Sequence, residues 1–425
     1  MKTNKNIQIE KPIFKVNSML FNEKVALLDN PKTNQEYLNI LSTDNDFVIR
    51  QKVASHKNTS PETLKKMFKN ESKGLIVRKI AINPNTPVEI LEELSNSLDN
   101  TIRKCVASNV SINEKIMNIL VEDKELLVKI ELAKNKNTAT SVLKILANKK
   151  QPTEVLKYVA SNSNTPKECL VELSSYWQNE VRASVAANSN TPINTLENMI
   201  QDEKNRSILT YFASNPCLNE NLINTLLKIE KNTNSYPSIS KELAKNEGLN
   251  KEILNIMATN TRDYGIMENI AKNPKTSNST LKYLLNMPSS RIWSNIASNP
   301  NASLEILEIL SEKKMEGMDF SDMYKNIATN PNVDTYLLDY LLSKKYINKK
   351  SNVRVAIATN KNTHPKTLLK LAKDLDEEVR NAALTNENTP PIEDTILDYI
   401  KIKIEDLIDW YLRRKEGTIS KYPAL

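Results

Sequence analysis

The side chains that most often carry out chemistry are few in this chain and lie far apart. Only two histidines occur among the 425 residues, His56 and His364. The three cysteines are Cys105, Cys169 and Cys217, and no two of them form a C-x-x-C pair. Metal centres and histidine-assisted nucleophiles need such groups close together. We therefore expect no metal site and no disulfide, which favours a reducing, cytoplasmic environment.

One carboxylate has neighbours that suit chemistry on a nucleic-acid base. Asp263 directly precedes Tyr264, and Trp293 follows further along the chain. Enzymes that act on a flipped base place a carboxylate among aromatic side chains in a basic groove. A DNA-glycosylase-like enzyme is therefore a remote alternative. The other carboxylates occur in polar runs that would not raise their pKa, so we expect no catalytic residue and no enzymatic activity.

Composition excludes several further classes of protein. The chain has 5 glycines, and no two are close enough to form a phosphate-binding loop, so we expect no nucleotide cofactor. The first residues, M-K-T-N-K-N-I-Q-I-E, lack the apolar run of a secretion signal. No stretch approaches the length of about 18 apolar residues that predicts a membrane span. We expect a cytoplasmic protein with no membrane partner.

Binding of phosphate or carboxylate groups is the chemistry that the basic residues could provide. Lys and Arg exceed Asp and Glu by 59 to 51, a formal charge of +8. The candidate anion-binding residues are Arg50, Arg78, Arg103, Arg182, Lys344, Lys345, Lys349, Lys350 and Arg354. A basic stripe suits nucleic acid or an acidic protein. The alternative is structural: the arginines would bond turn carbonyls or acidic side chains of a neighbouring repeat.

Aromatic and sulfur-containing residues cluster in the middle of the chain, although aromatics make up only 5% of it. They occur in L-T-Y-F-A-S, Y-G-I-M-E-N-I-A, R-I-W-S-N-I-A and D-M-Y-K-N-I-A. Exposed side chains of these types anchor protein interfaces. The candidate partner-binding residues are Tyr211, Tyr264, Met267, Trp293 and Tyr324. The alternative is that they fill a core widened by longer repeats.

A repeat defines the elements that must position all these residues. The stretch V-R-A-S-V-A-A-N-S-N-T-P-I-N-T-L-E at 181–197 recurs along the chain. Each copy is marked by the residue two positions before the first asparagine, or before His56 in one copy; it is alanine except for leucine at the two ends. The fourteen markers are Leu28, Ala54, Ala81, Ala107, Ala133, Ala160, Ala186, Ala213, Ala244, Ala271, Ala297, Ala328, Ala358 and Leu384. Neighbouring markers are 26 or 27 residues apart, except for steps of 31, 31 and 30. A fixed period in this range predicts a solenoid.

Each copy predicts two helices. Apolar residues three and four apart indicate helix and not strand. The segment N-S-N-T-P ends the first helix, and its threonine is predicted to cap the second, with complete capping boxes at 86–89 and 165–168. The first asparagines either form a ladder between repeats or bond only within their own turns, and the sequence leaves both open. They are Asn83, Asn109, Asn135, Asn162, Asn188 and Asn215.

The pattern V-R-x-x-V-A-x-N-x-N-T-P-x-x-x-L-x-x-L resembles the leucine-rich repeat variant family, over residues from about 25 to 400. The resemblance implies a right-handed superhelix in which an α-helix alternates with a shorter, partly 3₁₀ helix, without β-sheet. Since the arginine belongs to the family's repeat pattern, it favours the structural interpretation of the basic column. Some relatives carry an N-terminal cysteine cluster for an iron–sulfur centre. No cysteine precedes Cys105, so we do not expect that cluster.

We predict an all-α, right-handed α-solenoid of about fourteen repeats at 25–390, with an N-terminal cap at 1–24 and a C-terminal helical cap at 391–425. The extra residues of the longer steps follow the second helix and should form loops on one face. The predicted function is a non-enzymatic scaffold that binds another protein. The alternative is a nucleic-acid-binding solenoid that uses the Arg/Lys column. We expect a monomer, with dimerisation through the C-terminal segment as the alternative.

Overall fold

The structure is a computed structural model that describes residue 16 and residues 19–71, 74–203, 205–233, 238–313 and 319–390. Within these residues all regular structure is helical, which confirms the predicted all-α class. The predicted C-terminal cap and most of the predicted N-terminal cap lie outside the described residues. The chain forms two compact units, Met1–Pro237 and Ser238–Leu425, and the boundary falls in the first of the three insertions.

Helices of the two units alternate between two positions in the repeat. The first unit contains α1 (Phe21–Asp29), α2 (Gln35–Leu41), α3 (Phe47–Ser55), α4 (Pro61–Asn70), α5 (Leu75–Ile82), α6 (Val88–Ser95), α7 (Asn100–Ser108), α8 (Glu114–Val121), α9 (Leu126–Lys134), α10 (Thr140–Leu146), α11 (Thr153–Ser161), α12 (Lys167–Leu173), α13 (Asn179–Ala187), α14 (Ile193–Asp202), α15 (Arg206–Ala213) and α16 (Glu220–Thr233). The second unit contains α17 (Ile239–Lys245), α18 (Lys251–Asn260), α19 (Tyr264–Lys272), α20 (Asn278–Leu284), α21 (Ser290–Ser298), α22 (Leu304–Glu312), α23 (Ser321–Thr329), α24 (Thr335–Ser343), α25 (Ser351–Thr359), α26 (Pro365–Leu371) and α27 (Glu377–Thr385). We call the odd-numbered helices A helices and the even-numbered ones B helices.

Every marker residue lies in an A helix, so the repeat read from the sequence is the repeat of the structure. In α13, Val181, Val185 and Ala186 are fully buried. The marker is alanine in every repeat except the first and the last, where it is leucine. A helices of consecutive repeats pack directly against one another within each unit. Both helices of a repeat are α-helices. The one 3₁₀ helix of the described residues is Ile347–Lys349, in the third insertion, so the implied alternation with 3₁₀ helices is wrong.

The side-chain amide of the first asparagine in the turn bonds both to the preceding repeat and within its own turn. Asn188 Nδ2 donates to the carbonyl oxygens of Ala160, at 2.7 Å, and Asn162, at 2.9 Å. Its Oδ1 accepts from the backbone N–H of Asn190 at 2.8 Å. The Ala160 carbonyl belongs to the last turn of an A helix, where no intrahelical donor remains. The ladder between repeats is therefore confirmed, and the alternative that each asparagine bonds only within its own turn is wrong.

The same bond to a marker carbonyl of the preceding repeat recurs through both units. It is made by Asn83, Asn109, Asn135, Asn162 and Asn215 in the first unit, and by Asn273, Asn299, Asn330, Asn360 and Asn386 in the second. We call this row the asparagine ladder. His56 replaces one of its members. The ring Nε2 lies 3.0 Å from the Asn30 carbonyl oxygen, and Nδ1 accepts from the Asn58 N–H at 3.1 Å, so the imidazole reproduces one of the two donated bonds and the accepted bond of the amide.

The threonine of the turn closes the A helix and does not cap the B helix. Thr191 Oγ1 donates back to the Val185 carbonyl oxygen at 2.5 Å, and α14 begins after Pro192 without a side-chain cap. B helices α6 and α12 also begin after a proline, so the predicted capping boxes at 86–89 and 165–168 do not form. The Val185 carbonyl oxygen also accepts from the Asn188 N–H at 3.2 Å, so the buried threonine hydroxyl supplies a second donor at this helix end and satisfies its own polar group there.

The three insertions are accommodated after B helices. The first extends α16 to 14 residues, and the third contains the 3₁₀ helix. Residues 314–318 of the second lie outside the described residues. No inserted residue falls in an N-x-N-T-P turn, which keeps the asparagine ladder in register within each unit.

Replacing a ladder asparagine should destabilise the fold far more than replacing its exposed neighbour. Asn188→Ala removes two donated bonds and one accepted bond in a buried place, and we expect a loss of about 2–4 kcal/mol. Ser189→Ala, in the same turn but exposed, should change stability by less than about 0.5 kcal/mol. Urea unfolding followed by circular dichroism measures both. Equal stability of the two variants would show that the ladder contributes nothing.

Candidate binding surfaces

Arginines four residues before the marker are held by internal bonds at the turn that follows each B helix. Arg103 Nη1 donates to the carbonyl oxygens of Ser97, at 2.7 Å, and Leu98, at 3.3 Å. Its Nε and Nη2 donate to the carboxylate of Asp123 at 2.6 and 3.1 Å. The carbonyls follow α6 and the carboxylate follows α8. One guanidinium therefore ties two consecutive turns together, and four of its five N–H groups are used.

The other arginines of this register make the same kind of clamp. Arg50, Arg182 and Arg354 each bind a turn carbonyl and the carboxylate of Glu71, Glu203 or Asp374, respectively. Arg380 binds the carbonyls of Asp374 and Leu375. The prediction that Arg50, Arg103, Arg182 and Arg354 bind an external anion is therefore corrected. Their donors satisfy turn carbonyls and buried carboxylates, which was the structural alternative.

These clamps control the acidity of their carboxylates. Burial by itself would raise the pKa of Asp123, but the hydrogen bonds from Arg103 and from the Glu125 N–H outweigh it, and the net pKa lies below the ordinary value. The pKa of Asp374 is lowered in the same way, against burial, by Arg354 and the Asp376 N–H. Both carboxylates are therefore charged at neutral pH and contribute to stability in that form.

Three of the five predicted partner-binding residues are buried. Met267, Trp293 and Tyr324 are 4%, 5% and 7% exposed. Trp293 Nε1 donates to the Leu285 carbonyl oxygen at 3.2 Å, the role that an arginine Nη1 has in other repeats. The prediction that these three side chains bind a partner is corrected. They occupy the helix position that arginine has in other repeats, but they are buried and belong to the core.

An aromatic row explains why the arginine could be replaced there. The Trp293 ring stacks on Phe320 with centroids 6.2 Å apart, Phe320 lies 6.4 Å from Tyr324, and Tyr324 lies 6.1 Å from Tyr346. Phe320 and Tyr346 come from the second and third insertions. The longer repeats therefore widen the core at this edge, and large rings fill it, as the sequence alternative proposed.

The two remaining predicted anchors are exposed but do not join this row. Tyr211 is 47% exposed and lies in the first unit, whereas Tyr264, 44% exposed, begins α19 of the second. Asp263 does not meet Trp293 in a site. Its Oδ1 accepts from the N–H groups of Gly265, at 2.7 Å, and Ile266, at 3.3 Å, so this carboxylate caps a helix.

The predicted basic patch of the third insertion is half neutralised. Lys350 Nζ lies 2.6 Å from Asp319 Oδ2, and Lys344 Nζ lies 3.3 Å from Glu312 Oε1. The Lys350 bond, with one from Tyr346, holds the pKa of Asp319 well below its ordinary value. Lys345 and Lys349 are exposed and have no carboxylate partner among the described residues.

Arg78 differs from the other predicted anion-binding arginines because most of its donors are unused. It lies three residues before its marker, and its one bond to a carboxylate joins Nη2 to Asp99 Oδ2 at 3.3 Å. Its Nε is buried and has no hydrogen-bond partner among the described residues. Because Nε is buried, an external acceptor can reach only the Nη groups. Of the arginines predicted to bind an anion, Arg78 is the one whose Nη1 makes no hydrogen bond in the described residues.

Arg78 belongs to a surface that the sequence analysis did not find. Helices α3, α5 and α7 contain six basic residues and no acidic one: Arg50, Lys52, Arg78, Lys79, Arg103 and Lys104. Four large apolar side chains on α3 and α5 are about half exposed: Phe47, Val48, Leu75 and Ile82. We call the exposed side chains of α3, α5 and α7 the basic A face. The charges were visible in the sequence, but which helix positions remain exposed was not.

Three apolar side chains protrude from the arginine-clamped turns. Leu98 and Leu375 are fully exposed, and Trp177 is 71% exposed. Trp177 borders an open cavity of about 490 Å³ that the Arg182–Glu203 ion pair also lines. A single large apolar residue inside a polar turn is the sequence signal that could have identified these positions.

The described residues contain no group of three or more His, Cys, Asp and Glu that could hold a metal ion. Burial raises the pKa of the Cys105 and Cys169 thiols, which disfavours the reactive thiolate of both. None of the described helices combines the length and apolar character needed to cross a membrane.

The fold and these surfaces define an all-helical repeat protein. No family model matches the chain, and no curated protein sequence matches it. Among solved structures, three engineered proteins from the Northeast Structural Genomics Consortium are similar to it. The first is 16% identical, covers 88% of this chain and 96% of its own, and has a TM-score of 0.20. The others are 16% and 13% identical, cover 83% of this chain and 95% and 96% of their own, and have TM-scores of 0.11 and 0.08. At these TM-scores the likeness carries no argument.

Removal of the Trp293 ring should lower stability, because the ring is core. We expect Trp293→Ala to cost about 3–5 kcal/mol, and Trp293→Phe, which keeps a ring but loses the bond to Leu285, to cost less. Tyr264→Ala, on the exposed start of α19, should cost less than about 1 kcal/mol. Urea unfolding compares the three. A Trp293→Ala variant as stable as the wild type would restore the predicted surface role.

The Arg103–Asp123 clamp should make stability depend on pH in one direction. The folded pKa of Asp123 lies below its unfolded value, so the stabilisation is complete above about pH 4 and is lost as pH falls through the folded pKa. Asp123→Asn should therefore be less stable than the wild type by about 2–3 kcal/mol at pH 7, with a gap that narrows toward pH 3. Urea unfolding across this range measures the gap, and exposed Glu172→Gln should show none. A constant gap would contradict the assignment.

Proposed function

We propose that this protein is a non-enzymatic binding scaffold that captures another protein through the basic A face of its first unit. The observation that supports the proposal is that Phe47, Val48, Leu75 and Ile82, on two A helices that pack against each other, are each about half exposed. Contiguous exposed apolar side chains rimmed by polar ones are typical of protein-binding surfaces. Burial of each such side chain by a partner would contribute about 1 kcal/mol or more.

We also propose that the chain is a divergent member of the leucine-rich repeat variant family. The N-x-N-T-P turn at a 26-residue period supports this assignment, and the asparagine ladder gives the turn its structural purpose. The unpaired state of Cys105, Cys169 and Cys217 supports a cytoplasmic location.

Nucleic-acid binding is the second candidate function, and one observation favours it. Three successive A helices carry six basic residues without an acidic one, which could follow a phosphate backbone. Four of these residues already have carboxylate partners: Arg50, Lys52, Arg78 and Arg103. The electrostatic contribution to phosphate binding is correspondingly reduced.

Capture from an extract of the source cell, with and without nuclease, distinguishes the two functions. The immobilised full chain should retain a protein after nuclease treatment, and retention should survive moderate salt because apolar burial carries much of it. Nucleic acid that binds at low salt and dissociates steeply as salt rises would instead establish the second function.

A pair of variants tests the surface itself. Phe47→Ser with Leu75→Ser should lower retention of the partner by about tenfold or more. Ile145→Ser with Val171→Ser removes two side chains of similar exposure from B helices of the same unit and should leave retention unchanged. Equal loss in both double variants, with unchanged melting temperatures, would refute the basic A face as the binding surface.

A further inference from the structure

We infer that the partner of the basic A face is an acidic protein segment with interspersed apolar side chains, whose carboxylates bind at Arg78, Lys79 and Lys104. This inference rests on the proposed protein-binding function and specifies the chemistry of what is bound. We call these three residues the anion seat.

The first reason to expect a carboxylate at the anion seat is that its donors are largely unused. Arg78 makes a single long bond to Asp99 through Nη2, and its Nη1 makes no hydrogen bond in the described part of the chain, whereas the unpaired Nε is buried out of reach of a partner. Lys79 and Lys104 have no carboxylate partner there either. Arginine and lysine donors that lack an acceptor bind a carboxylate with charge-assisted hydrogen bonds, and a planar guanidinium can do so with two parallel bonds.

The second reason is that the three basic residues of the anion seat lie on adjacent helices. Arg78 and Lys79 lie on α5 and Lys104 lies on α7, and these two A helices pack against each other. Burial is the main cause that raises the pKa of the Cys105 thiol, and all three charges oppose it, so each of them lies within electrostatic range of that thiol. Asp99, the residue that caps α7, acts on the same thiol in the opposite direction, so these four groups together carry a positive excess.

The apolar side chains decide between an acidic protein and a nucleic acid. Leu75 and Ile82 flank the anion seat at the two ends of α5, and Val48 lies on the adjacent helix. Phosphates and sugars would cover these aliphatic groups without burying them against apolar atoms. A peptide that places leucine or a similar side chain between its carboxylates satisfies the charges and buries the aliphatic groups together.

The dimensions set the length of the segment. Packed helices lie about 8–10 Å apart, so the axes of α3 and α7 are separated by about 20 Å across α5. An extended chain advances about 3.3 Å per residue and crosses that distance in six or seven residues. A peptide of about twelve residues therefore spans the face with residues to spare at both ends.

Fluorescence anisotropy with the full chain tests the inference. The probe is a labelled peptide of about twelve residues built from Glu-Glu-Leu triplets, compared with Gln-Gln-Leu and Glu-Glu-Ser versions of equal length. We expect the first peptide to bind at least about tenfold more tightly than either of the others, because only it offers both carboxylates and apolar groups. A single-stranded RNA of equal charge should bind more weakly than the first peptide.

Matched variants locate the binding. Arg78→Gln, Lys79→Gln and Lys104→Gln together should weaken the acidic peptide by about tenfold or more. Lys65→Gln, Lys66→Gln and Lys69→Gln remove the same number of positive charges from the exposed side of α4 and should change binding by less than about twofold. Unchanged helical content and melting temperature of both triple variants ensure that the comparison reports binding and not folding.

Three outcomes overturn the inference: equal binding of the three peptides, equal loss in the two triple variants, or preference for RNA over the acidic peptide. The first two leave the proposed function intact if Phe47→Ser with Leu75→Ser still lowers capture of a protein from extract, since the surface would then bind a partner of other chemistry. If that capture is absent as well, the proposed function fails with it.

Discussion

The structure depends on one interaction, the bond that a buried asparagine amide donates to the last carbonyl groups of the preceding A helix. A helix end buried between repeats leaves carbonyls that water cannot reach, and each must find a donor. Asn188 supplies it for Ala160, and Oδ1 of the same amide fixes its own turn. Each repeat thus completes the helix before it, which makes the repeat dependent on its neighbour. The spacing of N-x-N-T-P cannot vary without breaking this arrangement, and every insertion occurs elsewhere.

The opposite edge, where each B helix is followed by the next A helix, tolerates more variation because several types of side chain can donate to its turn carbonyls. Turn carbonyls there need a donor, and Arg103 provides one with help from Asp123. Trp293 provides one from its indole N–H, and its ring stacks on Phe320. A guanidinium–carboxylate pair and a stacked ring are interchangeable at this place, since both satisfy a carbonyl and fill a gap. This explains why the longer insertions and the aromatic residues occur together.

The sequence was sufficient for the architecture and insufficient for the surface. A fixed period and apolar spacing identify the helices, the fourteen repeats and the marker, because those features are local. The sequence does not predict that Trp293 is buried, because an aromatic residue at the position of an arginine suggests a surface anchor. Only the structure shows that the neighbouring insertions widen the core there. Thr191 was assigned to the wrong helix because its hydroxyl can reach either one, and burial decides. The sequence shows that Arg78 lies one helix position later than Arg103. It does not show that this shift decides which guanidinium donors are used inside the protein.

Internal bonding also explains why recognition should concentrate on one helix face of the first unit. Both turn edges use their polar groups to connect repeats, which leaves the exposed faces of the helices. In the second unit, the A helices use even this face internally. Asn295 Nδ2 donates to the Glu268 carbonyl oxygen at 3.0 Å, and Asn326 Nδ2 donates to that of Ser294 at 3.0 Å. The corresponding positions in α3, α5 and α7 hold Lys52, Lys79 and Cys105. Lys52 bonds Asp29 of the preceding repeat at 2.6 Å, whereas the side chains of Lys79 and Cys105 make no bond to the preceding repeat in the described residues. On the basic A face, Lys79 and Lys104 have no carboxylate partner among the described residues, and Phe47, Val48, Leu75 and Ile82 remain about half exposed.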